Sequence, residues 1–284
     1  MIEGRGWQTT VGNEGGFAPP VISNEEPLQL LLVAIEEAGY VPGEDVALAL
    51  DLAASELYEN GRYHLAKDGL ELTSEELVDL LVDLTERYPI LSIEDGLAQE
   101  DWDGFALLKR KTENHIQIVG DDLFATNAAR VRIGVAKGAA NSALVKANQV
   151  GTITEALDTI RLAREYGLTA IVSHRSGDTE LPFEACFAVG TGVGQIKTGS
   201  MSRAERVRRV QSTDASRETP GGPGRLPLRR VRRGQAVGGW GPNSLAAPAS
   251  VVLARGDKCP RPPCQAAPSA RDCPPTGHHG QDFT

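Results

Sequence analysis

The sequence lacks the features that would place it in a membrane or among disulfide-bonded proteins. No run of about eighteen apolar residues occurs in its 284 residues, so we expect no membrane span. The N-terminus has no charged segment followed by an apolar stretch, so we expect no secretory signal. The chain has only 4 cysteines, and their spacing matches no usual zinc pattern. We therefore expect free thiols in a reducing, cytoplasmic compartment.

Aromatic residues are also scarce, at 5% of the chain, and this bears on a basic segment at its C-terminal end. Residues 204–284 carry 13 Lys+Arg and 6 Asp+Glu, whereas residues 1–203 carry 16 and 32. The basic segment also holds 11 of the 17 prolines, so we predict a disordered tail over residues 208–284. No aromatic residues interleave with its arginine runs RVRR and LRRVRR, so nucleic-acid binding is not favoured.

Six short segments run apolar and then stop at a charged residue. They are VALALD with Asp51, ILSIED with Glu94, IQIVGDD with Asp121, ALVKANQ with Lys146, TAIVSHRSG with His174 and Arg175, and GQIKTGS with Lys197. Such β-branched apolar runs are typical of strands that are buried on both faces. Ionisable groups at the ends of several such strands cannot all be core residues. In a (β/α) barrel the carboxyl ends of the strands converge on one mouth, where catalysis takes place.

Amphipathic helices are predicted between these strands, over residues 74–88, 127–138 and 152–167. Their apolar residues recur every three or four positions, as in a helix with one buried face. Ser74 is predicted to cap the first helix, and Gly138 marks the end of the second. The βαβα order predicts an α/β fold with parallel strands, and the polar strand ends favour a barrel over a doubly wound sheet. Because a closed barrel of this kind has eight strands and this chain supplies six, we predict an incomplete TIM-like barrel.

Three acids at strand ends predict a metal site. Without a partner, the carboxylates of Asp51, Glu94 and Asp121 would repel one another in a low-dielectric pocket. A hard divalent cation relieves this repulsion. Mg²⁺ is favoured because it takes few protein carboxylates and shares the rest of its octahedron with water and substrate. The alternative is three solvated or helix-capping acids. The neighbouring Asp95 and Asp122 are interpreted as outer or surface residues.

Two lysines end buried strands in the same way. Beside bound cations, Lys146 and Lys197 would have lowered pKa values, because burial and like charge both disfavour the ammonium form. A lysine with a lowered pKa can act as a general base. The alternative for each lysine is a surface salt bridge.

Two polar loops complete the candidate site. Glu14 lies in VGNEGGF, where the glycines allow a tight loop that presents a carboxylate. The string SHRSG supplies Ser173, His174, Arg175 and Ser176. The planar fork of an arginine suits a phosphate, and a serine hydroxyl adds a donor. The alternative is a polar turn in each case.

Seven strings, taken in order, resemble successive motifs of the enolase (phosphopyruvate hydratase) family. They are VGNEGGFAP, LDLAASELY, SIEDGLAQEDWDGF, VGDDLFATN, LVKANQVGTITE, SHRSGDTE and GQIKTGSMSRAERV, over about residues 6–207. The first string more usually has Asp where this chain has Asn13, a change that leaves Glu14 in place. In the family, an N-terminal α+β domain and the first barrel strands precede these motifs. The resemblance therefore implies that residues 1–207 are a truncated C-terminal barrel domain with the last six strands.

The resemblance also implies a reaction and a role for each candidate residue. The reaction would be the Mg²⁺-dependent dehydration of 2-phosphoglycerate to phosphoenolpyruvate, a lyase step of glycolysis, in a homodimer of the family type. Lys146 would be the base that removes the C2 proton, and Glu14 would protonate the leaving hydroxyl group. Lys197 would contact the carboxylate or phosphate of the substrate, and residues 173–176 would bind its phosphoryl end.

Two other interpretations stay open at this point. One is an enolase-superfamily dehydratase of other specificity, although SHRSG and GQIKTGS suit a phosphorylated substrate. The other is an inactive fragment, because the family supplies further active-site residues from regions N-terminal to this chain. The family pattern also breaks after Val207, where a barrel-closing helix would follow. We hypothesise that the tail, residues 208–284, is frameshifted, which the DNA sequence of the gene would test.

Overall fold

The structure, a computed structural model, describes residues 1–218 and 251–253, with side chains up to residue 213. The strands are β1 (Val46–Asp51), β2 (Tyr58–Glu59), β3 (Arg62–Leu65), β4 (Leu70–Leu72), β5 (Ile90–Glu94), β6 (Gln117–Gly120), β7 (Ser142–Val145), β8 (Thr169–Ser173), β9 (Ile196–Lys197) and β10 (Val251–Leu253). The helices are α1 (Glu26–Glu37), α2 (Ser74–Arg87), α3 (Trp102–Lys111), α4 (Ala128–Lys137), α5 (Ala147–Val150), α6 (Ile153–Glu165), α7 (Phe183–Thr191) and α8 (Ala204–Glu218). Short 3₁₀ turns lie at Glu3–Arg5 and Ala54–Leu57.

Six of these strands form a curled parallel sheet with helices around it, hydrogen-bonded in the order β1-β5-β6-β7-β8-β9. Asp51 is the register partner of Glu94, and Ser173 is the register partner of Lys197. The carboxyl ends of the strands therefore lie along one edge. β10 pairs antiparallel with β1, along the edge of β1 that faces away from β5. The predicted incomplete TIM-like barrel is confirmed.

The parallel strands bury both of their faces. On the outer face the strands pack against helices in one large apolar cluster, whose members include Leu48, Leu77, Leu81, Ile93, Phe105 and Ile118. On the inner face Val119, Leu144 and Ile171 form a separate cluster. Since side chains alternate between the faces of a strand, positions 117, 119 and 121 share the inner face.

A polar layer lies on this inner face at the amino ends of the strands. Gln117 Nε2 lies 2.7 Å from Gln195 Oε1, 2.8 Å from Thr169 Oγ1 and 3.2 Å from Ser142 Oγ, so its two N–H groups are shared among three oxygens. These contacts satisfy a buried amide and fix neighbouring strands to one another. Asp121, at the other end of the same face, is thereby placed in the mouth.

The three predicted helices are confirmed as α2, α4 and α6, with one correction at a cap. Thr73 caps α2: its Oγ1 accepts the Glu76 N–H at 3.2 Å, and Glu76 Oε2 accepts the Thr73 N–H at 2.8 Å. The prediction of Ser74 as the cap is therefore wrong by one residue. The Ser74 hydroxyl instead donates to Asp101 Oδ2 at 2.5 Å. Gly138 ends α4 with φ 67°, as predicted for a helix end.

An antiparallel sheet of β2, β3 and β4 was not predicted from the sequence. Its first turn consists of Asn60 and Gly61, with φ values of 52° and 84°. These are the left-handed conformations of a tight two-residue hairpin, for which Asn-Gly is a strong signal. The sequence therefore carried the information for this hairpin.

Helix α8 crosses Val207, after which we expected no regular structure, and reaches Glu218. Arg206 and Arg209, the first and last arginines of RVRR, are 0% and 1% exposed. RVRR is therefore not a solvated basic segment. One face of α8 is packed into the domain, and this face carries Arg206 and Arg209. LRRVRR lies outside the described residues. The domain boundary, the disorder of the tail and its frameshift stay predictions.

The described residues bear on two expectations, the lack of a membrane span and the free cysteines. Among them, no helix is long and apolar enough to span a membrane. Cys186 is an exposed free thiol. The other three cysteines lie outside the described residues.

Candidate active site

Lys197 joins two carboxylates at the mouth of the barrel. Asp51 ends β1, Glu94 ends β5 and Lys197 ends β9. Lys197 Nζ lies 2.6 Å from Asp51 Oδ2 and 2.8 Å from Glu94 Oε1. Because β1 and β9 are the first and last strands of the parallel order, these contacts require the sheet to curl back on itself. The curl brings residues from distant strands into one site.

The pKa values of Glu94 and Lys197 are set by burial and by the charges around them. Burial raises the pKa of Glu94 to about 8; the Lys197 ammonium opposes the rise, and the charges of Asp51 and Asp121 add to it. Burial alone would lower the pKa of Lys197, but Glu94 and Asp51 outweigh it and raise that pKa above its ordinary value. The lowered pKa expected for Lys197 applies to a lysine beside bound cations and stays a prediction.

A second ion pair lies beside the first. Lys146 follows β7 and Asp121 follows β6, and Lys146 Nζ contacts Asp121 Oδ2. Both side chains are largely buried, at 17% and 12% exposed. The other carboxylate oxygen, Asp121 Oδ1, is buried and accepts no hydrogen bond from the described residues. A buried carboxylate oxygen without a partner is suited to a cation.

Asp95 holds the turn that carries Asp121. It is 3% exposed and adopts φ 42°, a left-handed conformation that is uncommon outside glycine. Its two oxygens accept the N–H groups of Asp121 at 3.0 Å and Asp122 at 2.7 Å. Burial raises the pKa of Asp95 to about 7, against the opposing effect of the Asp122 N–H. Asp95 is therefore buried in the protein. It holds the predicted metal ligand Asp121 in position, as an outer residue behind the predicted ligands would.

The carboxylates Asp95, Asp121 and Asp122 could hold a metal, since one oxygen from each lies within 4.8 Å of the others. Asp51 and Glu94 lie outside this group and face Lys197 instead. All five of these acids offer carboxylate oxygens, which a hard divalent cation prefers, and Asp121 Oδ1 has no hydrogen-bond partner among the described residues.

Glu14 meets the loop that follows β8. Its Oε2 lies 3.0 Å from His174 Nε2, an ion-pair distance, although Nε2 makes no well-aligned hydrogen bond. Ser176 Oγ donates to Glu14 Oε1 at 3.2 Å. The contact with His174 holds the pKa of Glu14 at about 2, against the opposing effect of burial, and the charge of Lys197 lowers it further. The ring is oriented by Nδ1, which is 2.9 Å from the Lys197 carbonyl oxygen.

The remaining residues of SHRSG have different surroundings. Ser173 is buried, and its hydroxyl donates to the His174 carbonyl at 2.9 Å. Arg175 is exposed, and its main-chain N–H donates to Asp178 Oδ2 at 2.6 Å. The structure therefore brings His174 and Ser176 to Glu14, engages Ser173 with the backbone, and leaves the Arg175 side chain facing solvent.

Comparison with known proteins identifies the family. The family described as "Enolase, C-terminal TIM barrel domain" matches residues 2–213. An enolase from Natranaerobius thermophilus is 49% identical over 227 residues, which cover 80% of this chain. The chain belongs to the enolase family. It spans about half, 53%, of the length of that relative. The match to the enolase domain also extends beyond Val207, in agreement with the course of α8.

Sequence reasoning did not predict the roles of three residues at the candidate site. Asp95 was interpreted as an outer or surface residue, and Arg206 and Arg209 were noted only as members of the arginine run RVRR. A signal for the arginines existed in their spacing, since residues three apart lie on one face of a helix. For Asp95 the only signal was its place directly after a strand-end acid.

Proposed function

We propose that the chain catalyses the enolase reaction, the Mg²⁺-assisted dehydration of 2-phosphoglycerate to phosphoenolpyruvate. The observation that carries the proposal is the meeting of Lys146 with Asp121, and of Lys197 with Asp51 and Glu94, at one mouth. Membership of the enolase family supports the substrate and the type of reaction. A homodimer of the family type stays a prediction.

Asp51, Glu94 and Asp121 are proposed to hold Mg²⁺, with Asp95 holding Asp121 in place. When bound, the ion would offset the negative charge that develops on the substrate carboxylate as C2 loses its proton. Glu94 and Asp121 suit this role because burial leaves their charges poorly solvated, as the raised pKa of Glu94, about 8, indicates. Asp51, which is exposed, would complete the set from the end of β1.

Lys146 is proposed to remove the C2 proton. Its side chain extends from the end of β7 to Asp121, so its Nζ lies beside one of the proposed metal ligands. Lys197, which pairs with Asp51 and Glu94, is proposed to contact the carboxylate of the substrate. The exposed guanidinium of Arg175 is proposed to bind the phosphoryl group in its planar fork.

Glu14 is proposed to supply the proton that lets the C3 hydroxyl group leave as water. His174 Nε2 lies 3.0 Å from one Glu14 oxygen, and Ser176 Oγ donates to the other at 3.2 Å. These contacts would orient the Glu14 carboxyl group, which as the general acid would deliver its proton to the leaving oxygen.

The test is an absorbance assay for phosphoenolpyruvate. The purified chain is mixed with 2-phosphoglycerate and Mg²⁺, and the measurement is repeated after EDTA is added. We expect product formation that requires Mg²⁺. A folded chain that forms no product would favour the inactive-fragment interpretation. Turnover of an unphosphorylated acid sugar, with none of 2-phosphoglycerate, would favour a dehydratase of other specificity.

A further inference from the structure

Helix α8 places two arginines in the interior of the protein. Arg206 and Arg209 are 0% and 1% exposed and are the two largest fully buried side chains among the described residues. Residues three apart lie on the same face of a helix. Arginine is almost never fully buried without partners, so the loops that face α8 must supply them.

Arg209 anchors the loop between β8 and α7. Its Nε donates to Glu184 Oε2 at 2.7 Å, and its Nη2 donates to the Thr179 carbonyl at 3.1 Å. Nη2 also lies 3.6 Å from Asp178 Oδ2, the oxygen that accepts the Arg175 N–H. The guanidinium therefore fixes this loop to α8 through side-chain and main-chain oxygens.

Arg206 connects that loop to the loop of Glu14. Its Nη2 donates to the carbonyl of Arg175 at 3.1 Å and to the carbonyl of Asn13 at 3.5 Å. These residues adjoin His174 and Glu14 in the chain. Nε and Nη1 have no hydrogen-bond partner among the described residues, and Nε lies 4.0 Å from Glu205 Oε1. A buried cation with unpaired donors lowers stability, so its presence here points to a positional role.

The backbone around Arg206 is shaped to admit it. Gly199 has φ 81°, and a Cβ atom built on it would lie 2.5 Å from Arg206 Cδ. The residues that follow Gly199 also hydrogen-bond to the Glu14 loop. The Ser200 N–H donates to the Glu14 carbonyl at 2.7 Å, and the Ser202 hydroxyl donates to the Gly15 carbonyl.

We propose that Arg206 is a positioning residue, which ties the Glu14 loop to the loop after β8 and so keeps Glu14 in contact with His174 and Ser176. The catalytic role of Glu14 as a proton donor rests on the proposed function, whereas the connection between the two loops does not. Without Arg206 this connection is lost, while Ser200 and Ser202 still hold the main chain of the Glu14 loop. The Glu14 side chain can then shift away from the contact that holds its pKa at about 2.

The test is a ¹³C-carboxyl NMR titration of Glu14 in the full chain, without substrate or metal. For R206M we expect the Glu14 midpoint to rise by at least about one unit towards its ordinary value of 4.5. R208M is the matched control. Arg208 lies on the same helix but is exposed and pairs with Glu180 at 3.1 Å, so R208M should leave the midpoint unchanged.

An unchanged midpoint in R206M, or an equal rise in R208M, would overturn the proposal. If R206M does not fold, R206K decides the matter, because lysine keeps the charge but cannot donate as a planar fork. A rise in R206K supports the proposal, and no rise overturns it. Because the titration needs no turnover, a shifted midpoint in a chain without enolase activity would count against the proposed function alone.

Discussion

Lys197 Nζ lies 2.6 Å from Asp51 Oδ2, although the two residues end the first and last strands of the parallel sheet. The contact defines the curl of the incomplete barrel. It also shows why the acids at the mouth cannot be considered separately from the lysines, since each of the three predicted metal ligands has a lysine ammonium as its neighbour.

The choice of metal ligands gives the first prediction. D51N and E94Q should each weaken Mg²⁺ binding by about tenfold or more, a loss comparable with that from disturbing a metal site. D122N should change the affinity little, because Asp122 is proposed to be outside the set. Isothermal titration calorimetry measures all three variants, with near-UV circular dichroism to confirm their fold. A large loss in D122N together with none in D51N would instead assign the metal to Asp95, Asp121 and Asp122.

The low pKa of Glu14 gives a prediction about acid stability. A carboxyl whose pKa is about 2 in the folded chain and ordinarily 4.5 stabilises the fold above its ordinary pKa. This contribution is lost as the pH falls from about 4.5 towards 2. E14Q should therefore lose less stability over that range than the unmodified chain. The difference should be modest, because the Glu14 side chain is 40% exposed and solvent screens the interaction.

Urea unfolding at several pH values measures this difference. E37Q serves as the control, since Glu37 is exposed on α1 and should leave the pH dependence as it is. Identical acid sensitivity of E14Q and the unmodified chain would show that Glu14 is not held by His174 in solution.

The hairpin is predicted to depend on a single buried hydroxyl group. Tyr63 is 0% exposed; its hydroxyl donates to Asp101 Oδ2 at 2.8 Å and accepts the Ala98 N–H at 2.9 Å. Y63F leaves that buried N–H without a partner, which should lower the free energy of unfolding by about 1–3 kcal/mol.

Y58F is the matched control for this change. Tyr58 is 44% exposed, and its ring lies 4.8 Å from that of Tyr63. Loss of an exposed hydroxyl group should change stability by less than about 0.5 kcal/mol. Equal effects of Y58F and Y63F in urea unfolding would mean that the buried hydrogen bonds of Tyr63 contribute nothing.

Apolar runs predicted the parallel strands, and apolar periodicity predicted the helices α2, α4 and α6, because those elements depend on local patterns of burial. Strand-end acids and lysines could be recognised for the same reason, since a buried strand that stops at a charge is visible in the sequence. The hairpin was missed although Asn60 and Gly61 announced its turn. The Asn-Gly pair is a local turn signal, so this hairpin depends on no tertiary contact for its recognition.

The remaining features depend on contacts between distant parts of the chain. Arg206 and Arg209 look like solvated basic residues until oxygens from the loop after β8 are placed around them. The left-handed conformation of Asp95 is fixed by the N–H groups at the end of the next strand, which the sequence alone does not place beside it. The raised pKa of Lys197 likewise follows from the curl of the sheet.

The central claim is that Lys146 and Glu14 act at one site on one substrate. The most direct measurement is deuterium exchange at C2 of 2-phosphoglycerate in D₂O with Mg²⁺, followed by NMR beside the formation of phosphoenolpyruvate. We expect K146A to abolish exchange. E14Q should keep exchange but lose product formation by about a hundredfold or more, as expected when a general acid is removed. K137A, which changes a surface lysine of α4, should retain both. Retained exchange in K146A would contradict the account.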